Sequence, residues 1–173
     1  MNEFKVISNI NDQLWQMSLS ERLFVVSIVA FMRPARLLEL GVWMGMGSQY
    51  FKKYCGELYR IDVMKVDPVD DDKFYNMRSD DSFKKILKDG LRFDMAIIDA
   101  DHSEEQAERD MDNALQCCDM ILMHDTFNEP CRKGYVKGLY KNQDKVSHVD
   151  FDVIHGREIN GEKWGGIGMV VLK

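Results

Sequence analysis

Five short apolar runs, spaced by helix-like segments, cover residues 36–123, and this alternation constrains the fold more than any other feature of the chain. The runs are Arg36–Leu40, Leu58–Asp62, Phe74–Arg78, Phe93–Ile98 and Met120–Met123. Apolar stretches this short, with little polar alternation, read as strands covered on both faces, which requires helices on either side of a parallel sheet. The helix signals fall between them. Ser18 and Glu21 form a capping box for a helix over Leu19–Phe31, ended by Arg33-Pro34. Ser48–Cys55 is stopped by Gly56 and Asp81–Lys88 by Gly90, while Ser103 with Gln106 opens a helix to Gln116. Pro130 suits the first position of a helix through Tyr140. Residues 64–72 carry four aspartates and Pro68 and read as a loop. Two further β runs, Val149–His155 and Gly168–Leu172, flank the hairpin dipeptide Asn160-Gly161 with no helix between them. The pattern predicts an α/β fold: a doubly wound, mostly parallel sheet with a terminal antiparallel strand, in three α/β/α layers. Residues 1–33 form an N-terminal helical segment and 34–173 the ligand-binding core of a single domain.

Composition narrows the class of partner. The 173 residues carry 23 Lys+Arg against 29 Asp+Glu, a net charge of -6, which disfavours a nucleic-acid backbone and suits small polar substrates or metal cations. The four cysteines, at 55, 117, 118 and 131, have no CxxC or framework spacing and read as reduced thiols of a cytoplasmic protein. Leu23–Met32, the longest apolar run, is about half a bilayer span, and no signal peptide precedes it. A soluble protein with no membrane partner is expected. The apolar N-terminal helix could face a second subunit as readily as its own core, so a homo-oligomer stays open.

In a doubly wound sheet, ligands bind beyond the carboxyl ends of the strands. The first strand ends Glu39-Leu-Gly41-Val-Trp-Met-Gly45-Met-Gly47. Glycines there allow a tight turn and close backbone approach to a ligand. Trp43 and Met46 stand where a GxGxxG dinucleotide fingerprint needs glycine, which excludes the dehydrogenase pattern. Glu39 is a costly residue at a buried strand end unless hydrogen-bonded. Asp62 closes the second strand about twenty residues later, where an acid can accept both ribose hydroxyls of an adenosine. Of Asp80 and Asp81, after the third strand, one is expected to cap the next helix and the other to reach an adenine amino group. The fourth strand ends Asp99-Ala-Asp101-His102 and the fifth His124-Asp125-Thr126. Asp99 and Asp125 therefore meet at one sheet edge, where a divalent cation offsets their repulsion. His102 or His124 can ligate, act as a base, or orient a carboxylate.

Taken in order, these segments resemble the class I S-adenosylmethionine-dependent methyltransferases, from Arg36 to the carboxyl terminus. E-L-G-V-W-M-G-M-G at 39–47 is similar to that family's acid-then-glycine motif. F-D-M-A-I-I-D-A-D-H at 93–102 and I-L-M-H-D-T at 121–126 resemble the small branch related to cephalosporin-biosynthesis and macrolide-sugar O-methyltransferases. G-G-I-G-M-V-V-L at 165–172 looks like the family's last, antiparallel strand. The resemblance implies a Rossmann-like sheet holding S-adenosylmethionine over Glu39, Gly41, Gly45 and Asp62, with Asp80 or Asp81 near the adenine. Asp99 would lie near the methionine part or the metal. It also implies Mg²⁺ on Asp99, Asp125 and the neighbouring Thr126, where the family carries Asn or an acid. His102 stands where catechol-type relatives carry a lysine base. The implied reaction is methyl transfer to a small-molecule acceptor, a hydroxyl oxygen, with His102 as base.

Two other classes fit parts of the pattern. A non-catalytic methyltransferase-like domain would bind the cofactor, a nucleotide or a protein and turn nothing over. A metal-dependent hydrolase on Asp99, Asp125 and the histidines would leave the glycine loop without a task. The segments expected to choose the acceptor are Met1–Phe31, Phe127–Asn142 and Gly156–Trp164, and they carry no decodable motif.

Overall fold

The computed structural model describes residues 16–64 and 73–173. The acidic loop, at 65–72, and the first half of the N-terminal segment, at 1–15, lie outside the described residues. The strands are β1 (Arg36–Leu40), β2 (Glu57–Asp62), β3 (Phe74–Asn76), β4 (Met95–Ile98), β5 (Met120–His124), β6 (Val146–Ile154), β7 (Arg157–Ile159), β8 (Glu162–Trp164) and β9 (Ile167–Leu172). The helices are α1 (Leu19–Met32), α2 (Met46–Phe51), α3 (Ser79–Lys88), α4 (Glu104–Cys117) and α5 (Glu129–Lys141).

Seven strands form one sheet in the order β3-β2-β1-β4-β5-β9-β6. β1 pairs in parallel with β2 and β4, and β9 runs antiparallel to both β5 and β6. The chain starts at the centre, moves out to β3, then crosses back to β4. The carboxyl ends of β1 and β4 thus flank the switch point, where a crevice is unavoidable.

Successive residues of the central strands go to opposite faces, which is why the runs are apolar throughout. Leu38, Leu40, Ala96, Ile98 and Ile121 pack with Phe83, Ile86, Met111, Leu115 and Tyr135 of α3, α4 and α5. Leu37, Met95, Ile97 and Leu122 pack with Val25, Val26, Val29 and Phe51 of α1 and α2. These are the two helical layers expected from the sequence.

The differences in detail have local causes. The first capping box forms as expected: Ser18 Oγ accepts the Glu21 N–H at 3.4 Å and Glu21 Oε2 accepts the Ser18 N–H at 2.5 Å. At α4 only half forms, because the Gln106 side chain turns away to Ser79 and Asp110 instead. α3 begins two residues earlier than expected, with extended Arg78 before it, so neither Asp80 nor Asp81 is its N-cap. Asn160 and Gly161 both take positive φ, 53° and 82°, in the two-residue turn of the β7–β8 ribbon, which is separate from the main sheet. The expected terminal antiparallel strand is β9, the last of the chain, which lies between β5 and β6 and leaves β6 at the edge. Among the described residues, no helix is long and apolar enough to cross a membrane.

Candidate active site

A cavity of about 500 Å³ opens at the switch point, within the range of cofactor and drug-sized pockets. Its wall runs from the glycine loop (Glu39–Met44, Met46 and Gly47) past Asp62–Met64 and Met77–Ser79 to Asp99–His102. The loop is built for close approach. Gly41 has φ +87°, and any Cβ there would overlap the Asp99 backbone carbonyl. Gly45, also left-handed at φ 71°, turns the chain into α2.

Asp62 organises this loop. Its Oδ2 accepts the N–H groups of Val42 at 2.7 Å and Trp43 at 3.0 Å, and its Oδ1 that of Met64 at 2.8 Å. The carboxylate expected to bind a ribose is therefore also the clamp that fixes the loop around it. Glu39 is buried beneath, accepting a hydrogen bond from the Ser48 hydroxyl. Burial pushes its pKa up to about 8, against the opposing pull of Ser48 and of Arg60. A carboxyl that keeps its proton when folded contributes less stability as pH rises, because the unfolded chain ionises at about 4.5 and the folded one only near 8. Glu39→Gln is thus expected to gain stability over the parent between pH 4.5 and 8, reaching on the order of 3 kcal/mol. Urea denaturation at pH 5 and pH 8 checks this, and an equal difference at both pH values would refute it.

The predicted adenine-side acids point elsewhere. Asp80 lies 3.3 Å from Arg109, and exposed Asp81 lies 2.9 Å from Lys84. With α3 starting early, it is Ser79, held at 2.8 Å by Gln106 Nε2, that lines the cavity. Asp110, from the second turn of α4, lines the same end and is raised to about 6 by burial.

At the other end, β4 and β5 bring Asp99 and Asp125 together as expected, and both predicted histidines join them. His124 Nδ1 stands 2.9 Å from Asp99 Oδ1 and 3.1 Å from Asp125 Oδ2. His102 Nε2 stands 2.7 Å from Asp125 Oδ2, at ion-pair distance but without hydrogen-bond alignment, and 3.7 Å from Asp99 Oδ1. Asp125 adopts φ 55°, an uncommon backbone conformation for a residue other than glycine, and its Oδ1 accepts the Gly165 N–H at 2.5 Å. Thr126 is fully buried, and its hydroxyl has no hydrogen-bond partner among the described residues. The donor atoms of Asp99, His102 and Asp125 all lie within 4.8 Å of one another, a set chemically suited to a divalent cation.

One residue of this cluster was not expected. Glu21, besides completing the α1 capping box, sends Oε1 to the Gly166 N–H at 2.6 Å and lies 3.5 Å from His124 Nε2. Its partner is 145 positions away, so local pattern carries only its capping role. Charges are strongly perturbed here. Burial raises Asp99, but the His124 charge, the nearby His102 and the His124 hydrogen bond outweigh it and bring the carboxyl to about 2. Glu21 likewise falls to about 2, burial being outweighed by His124 and Ser18. Asp125 and then Asp99 raise His102 to about 9. Trp164, at the end of β8, meets the His102 ring edge-on at 5.8 Å.

No protein-family model and no curated protein sequence matches this chain. Solved structures do. An O-methyltransferase from Bacillus cereus in complex with SAH (S-adenosylhomocysteine) superposes with a TM-score of 0.67 at 15% identity, covering 97% of this chain and 88% of that one. The N-methyltransferase NodS from Bradyrhizobium japonicum, also with SAH, gives 0.63 at 13% identity over 99% of both chains. MycE, from the mycinamycin biosynthetic pathway and solved with Mg, SAH and mycinamycin VI, gives 0.65 at 14% identity, and this chain spans 53% of its length. What is shared at such identities is the fold, and it is that of the class I S-adenosylmethionine-dependent methyltransferases.

Proposed function

We propose that the protein transfers a methyl group from S-adenosylmethionine to a hydroxyl oxygen of a small molecule. The observation that carries this reading is one continuous cavity whose wall includes the glycine loop, Asp62, Asp99 and His102. Bound S-adenosylmethionine supplies an electrophilic methyl carbon, so the protein's main task is alignment of the acceptor. The Gly41 turn lets backbone approach the cofactor closely, and Asp62, itself on the cavity wall, holds the loop in that shape. The acidic wall of Asp62 and Asp99 suits a sulfonium cation.

An oxygen acceptor is favoured over nitrogen because a hydroxyl must lose its proton as the methyl arrives. His102, on the cavity wall and half-exposed, is the base placed to take it. Asp125 and Asp99 orient the ring and stabilise the imidazolium that results. Trp164 supports the ring from the side. A divalent cation on Asp99 and Asp125, Mg²⁺ by the resemblance, would orient the acceptor hydroxyl and lower its pKa.

Calorimetric titration with S-adenosylhomocysteine tests the reading. Micromolar, one-to-one binding is expected, and absence of binding up to millimolar ligand ends it.

A further inference from the structure

Asp110 is a buried carboxyl on the cavity wall to which methyl transfer gives no task. It comes from the second turn of α4 and is 1% exposed, and its Oδ2 has no hydrogen-bond partner among the described residues. An acceptor left open in a buried place costs about 1–3 kcal/mol. Such an atom calls for a donor, and on the cavity wall the donor that is missing is one that arrives with a ligand.

The surroundings define that donor. Arg109 Nη2 donates to Gln106 Oε1 at 2.6 Å, and because a guanidinium only donates, the orientation of the Gln106 amide is fixed. Gln106 Nε2 then points its hydrogens at Ser79 Oγ, 2.8 Å away, and Asp110 Oδ1, 2.9 Å away, with Asp80 Oδ1 further off at 3.4 Å. Ser79 Oγ accepts there, so its own hydrogen can turn to Asp110 or be offered to a ligand. Arg109, the cation beside them, is engaged by Asp80 at 3.3 Å. A hydroxyl donor thus stands near an open carboxylate acceptor, and Ser79, Gln106 and Asp110 all line the cavity, as does Met77 just before them in the chain. Adenine carries the matching pair, an amino group that donates beside a ring nitrogen that accepts, on a flat ring suited to a thioether. Hypoxanthine has an oxygen in place of the amino group and would set acceptor against acceptor.

We infer that Asp110, with Ser79 and Gln106, forms a subsite inside the α3–α4 contact that selects a 6-amino purine nucleoside over its 6-oxo counterpart. The acids expected at the start of α3 are turned to other partners, Asp80 to Arg109 and Asp81 to Lys84, and a residue of α4 takes the selecting role. The inference rests on the methyl-transfer reading for the identity of its occupant, the adenosine of the cofactor.

The test titrates the full chain calorimetrically with S-adenosylhomocysteine and S-inosylhomocysteine, and in parallel with adenosine and inosine. In each pair the amino form should bind about 30-fold tighter or more, because the oxo form leaves buried polar groups unpaired. Asp110→Asn keeps the shape and the Gln106 contact but puts an amide donor at the open position. It should bring the ratio within about threefold, chiefly by gaining affinity for the oxo form. A residue that only held α4 against α3 would lose both ligands alike. The parent gives a second readout. Burial, with Asp80 adding to it, raises Asp110 to about 6 against Ser79, Gln106 and Arg109. At pH 6 the amino form should therefore release about half a proton per site and the oxo form none, measured by repeating the titration in two buffers of different ionisation heat. This readout and the parent's ratio decide if Asp110→Asn does not fold. Equal affinity for amino and oxo forms, or an unchanged ratio in Asp110→Asn, overturns the inference. S-adenosylhomocysteine bound without amino preference removes the subsite and leaves methyl transfer. Adenosine preferred over inosine, with no binding of S-adenosylhomocysteine, removes methyl transfer and leaves the subsite. No binding of any of the four at millimolar concentration removes both.

Discussion

Gly41→Ala is expected to destabilise the protein by about 2 to 5 kcal/mol and to abolish S-adenosylhomocysteine binding. Two independent costs add at this position. A residue with a Cβ at φ +87° loses on the order of 1–2 kcal/mol to backbone strain. The new methyl group also overlaps the Asp99 carbonyl, which is backbone of the neighbouring strand and cannot swing away. Relieving that overlap forces β1 and β4 apart at the switch point, typically for a further 1–3 kcal/mol. The Gly41 N–H bonds the Ile61 carbonyl at 3.0 Å, and the Asp99 N–H bonds the Leu40 carbonyl at 2.8 Å, so both ladders there are disturbed. Gly161→Ala supplies the control. Gly161 has φ +82° with nothing within 4 Å of an added Cβ, so it bears the strain without the collision. It should lose about 1 kcal/mol and bind the cofactor product normally. Urea denaturation and calorimetry on both variants decide the matter. Equal losses at Gly41 and Gly161 would mean that the close approach to Asp99 is not what shapes the pocket.

What was legible in the sequence was whatever local pattern or strand order determines. The stretch Phe93–Ile98, apolar apart from Asp94, the Ser18–Glu21 box and the Asn160-Gly161 turn each carry their structure in a few adjacent residues, and all formed, the first as the strand Met95–Ile98. Strand order then places Glu39, Asp62, Asp99 and Asp125 at one sheet edge whatever their side chains do. The rest depends on contacts that no local pattern contains. Gln106 has the spacing of a capping residue but bonds Ser79 across to α3, and only the packing of α4 on α3 makes that available. Asp62 has the position of a ribose ligand, yet the tightness of the turn after Gly41 brings two loop N–H groups to it first. Glu21 reaches Gly166 because α1 lies over the sheet near the start of β9, a placement set by the hydrophobic stripe Val25–Val29. Thr126 follows Asp125 in sequence, but the left-handed turn at Asp125 is accompanied by burial of the Thr126 hydroxyl, while His124 and His102 meet the carboxylates.

His102→Ala is expected to lower kcat by 10²–10⁴-fold while leaving S-adenosylhomocysteine affinity within about threefold. The separation follows from position. His102 stands on the cavity wall beside Asp99 and Asp125 and takes no part in the hydrogen bonds by which Asp62 clamps the glycine loop. A loss confined to turnover is the sign of an interaction made only as the proton moves. The pH profile supplies a second readout. Only the neutral imidazole accepts a proton, and Asp125 and Asp99 keep His102 protonated up to about 9. With no cation added, the reactive fraction therefore grows as pH rises from 7 toward 9, and kcat should rise with it. That limb should vanish in His102→Ala and return in part when imidazole fills the space left beside Trp164. A residue that merely braced the pocket would show neither change: its removal would raise KM or weaken product binding, keep the pH profile of the parent, and ignore added imidazole. Steady-state rates at five or six pH values, with and without imidazole, separate a proton acceptor from a brace.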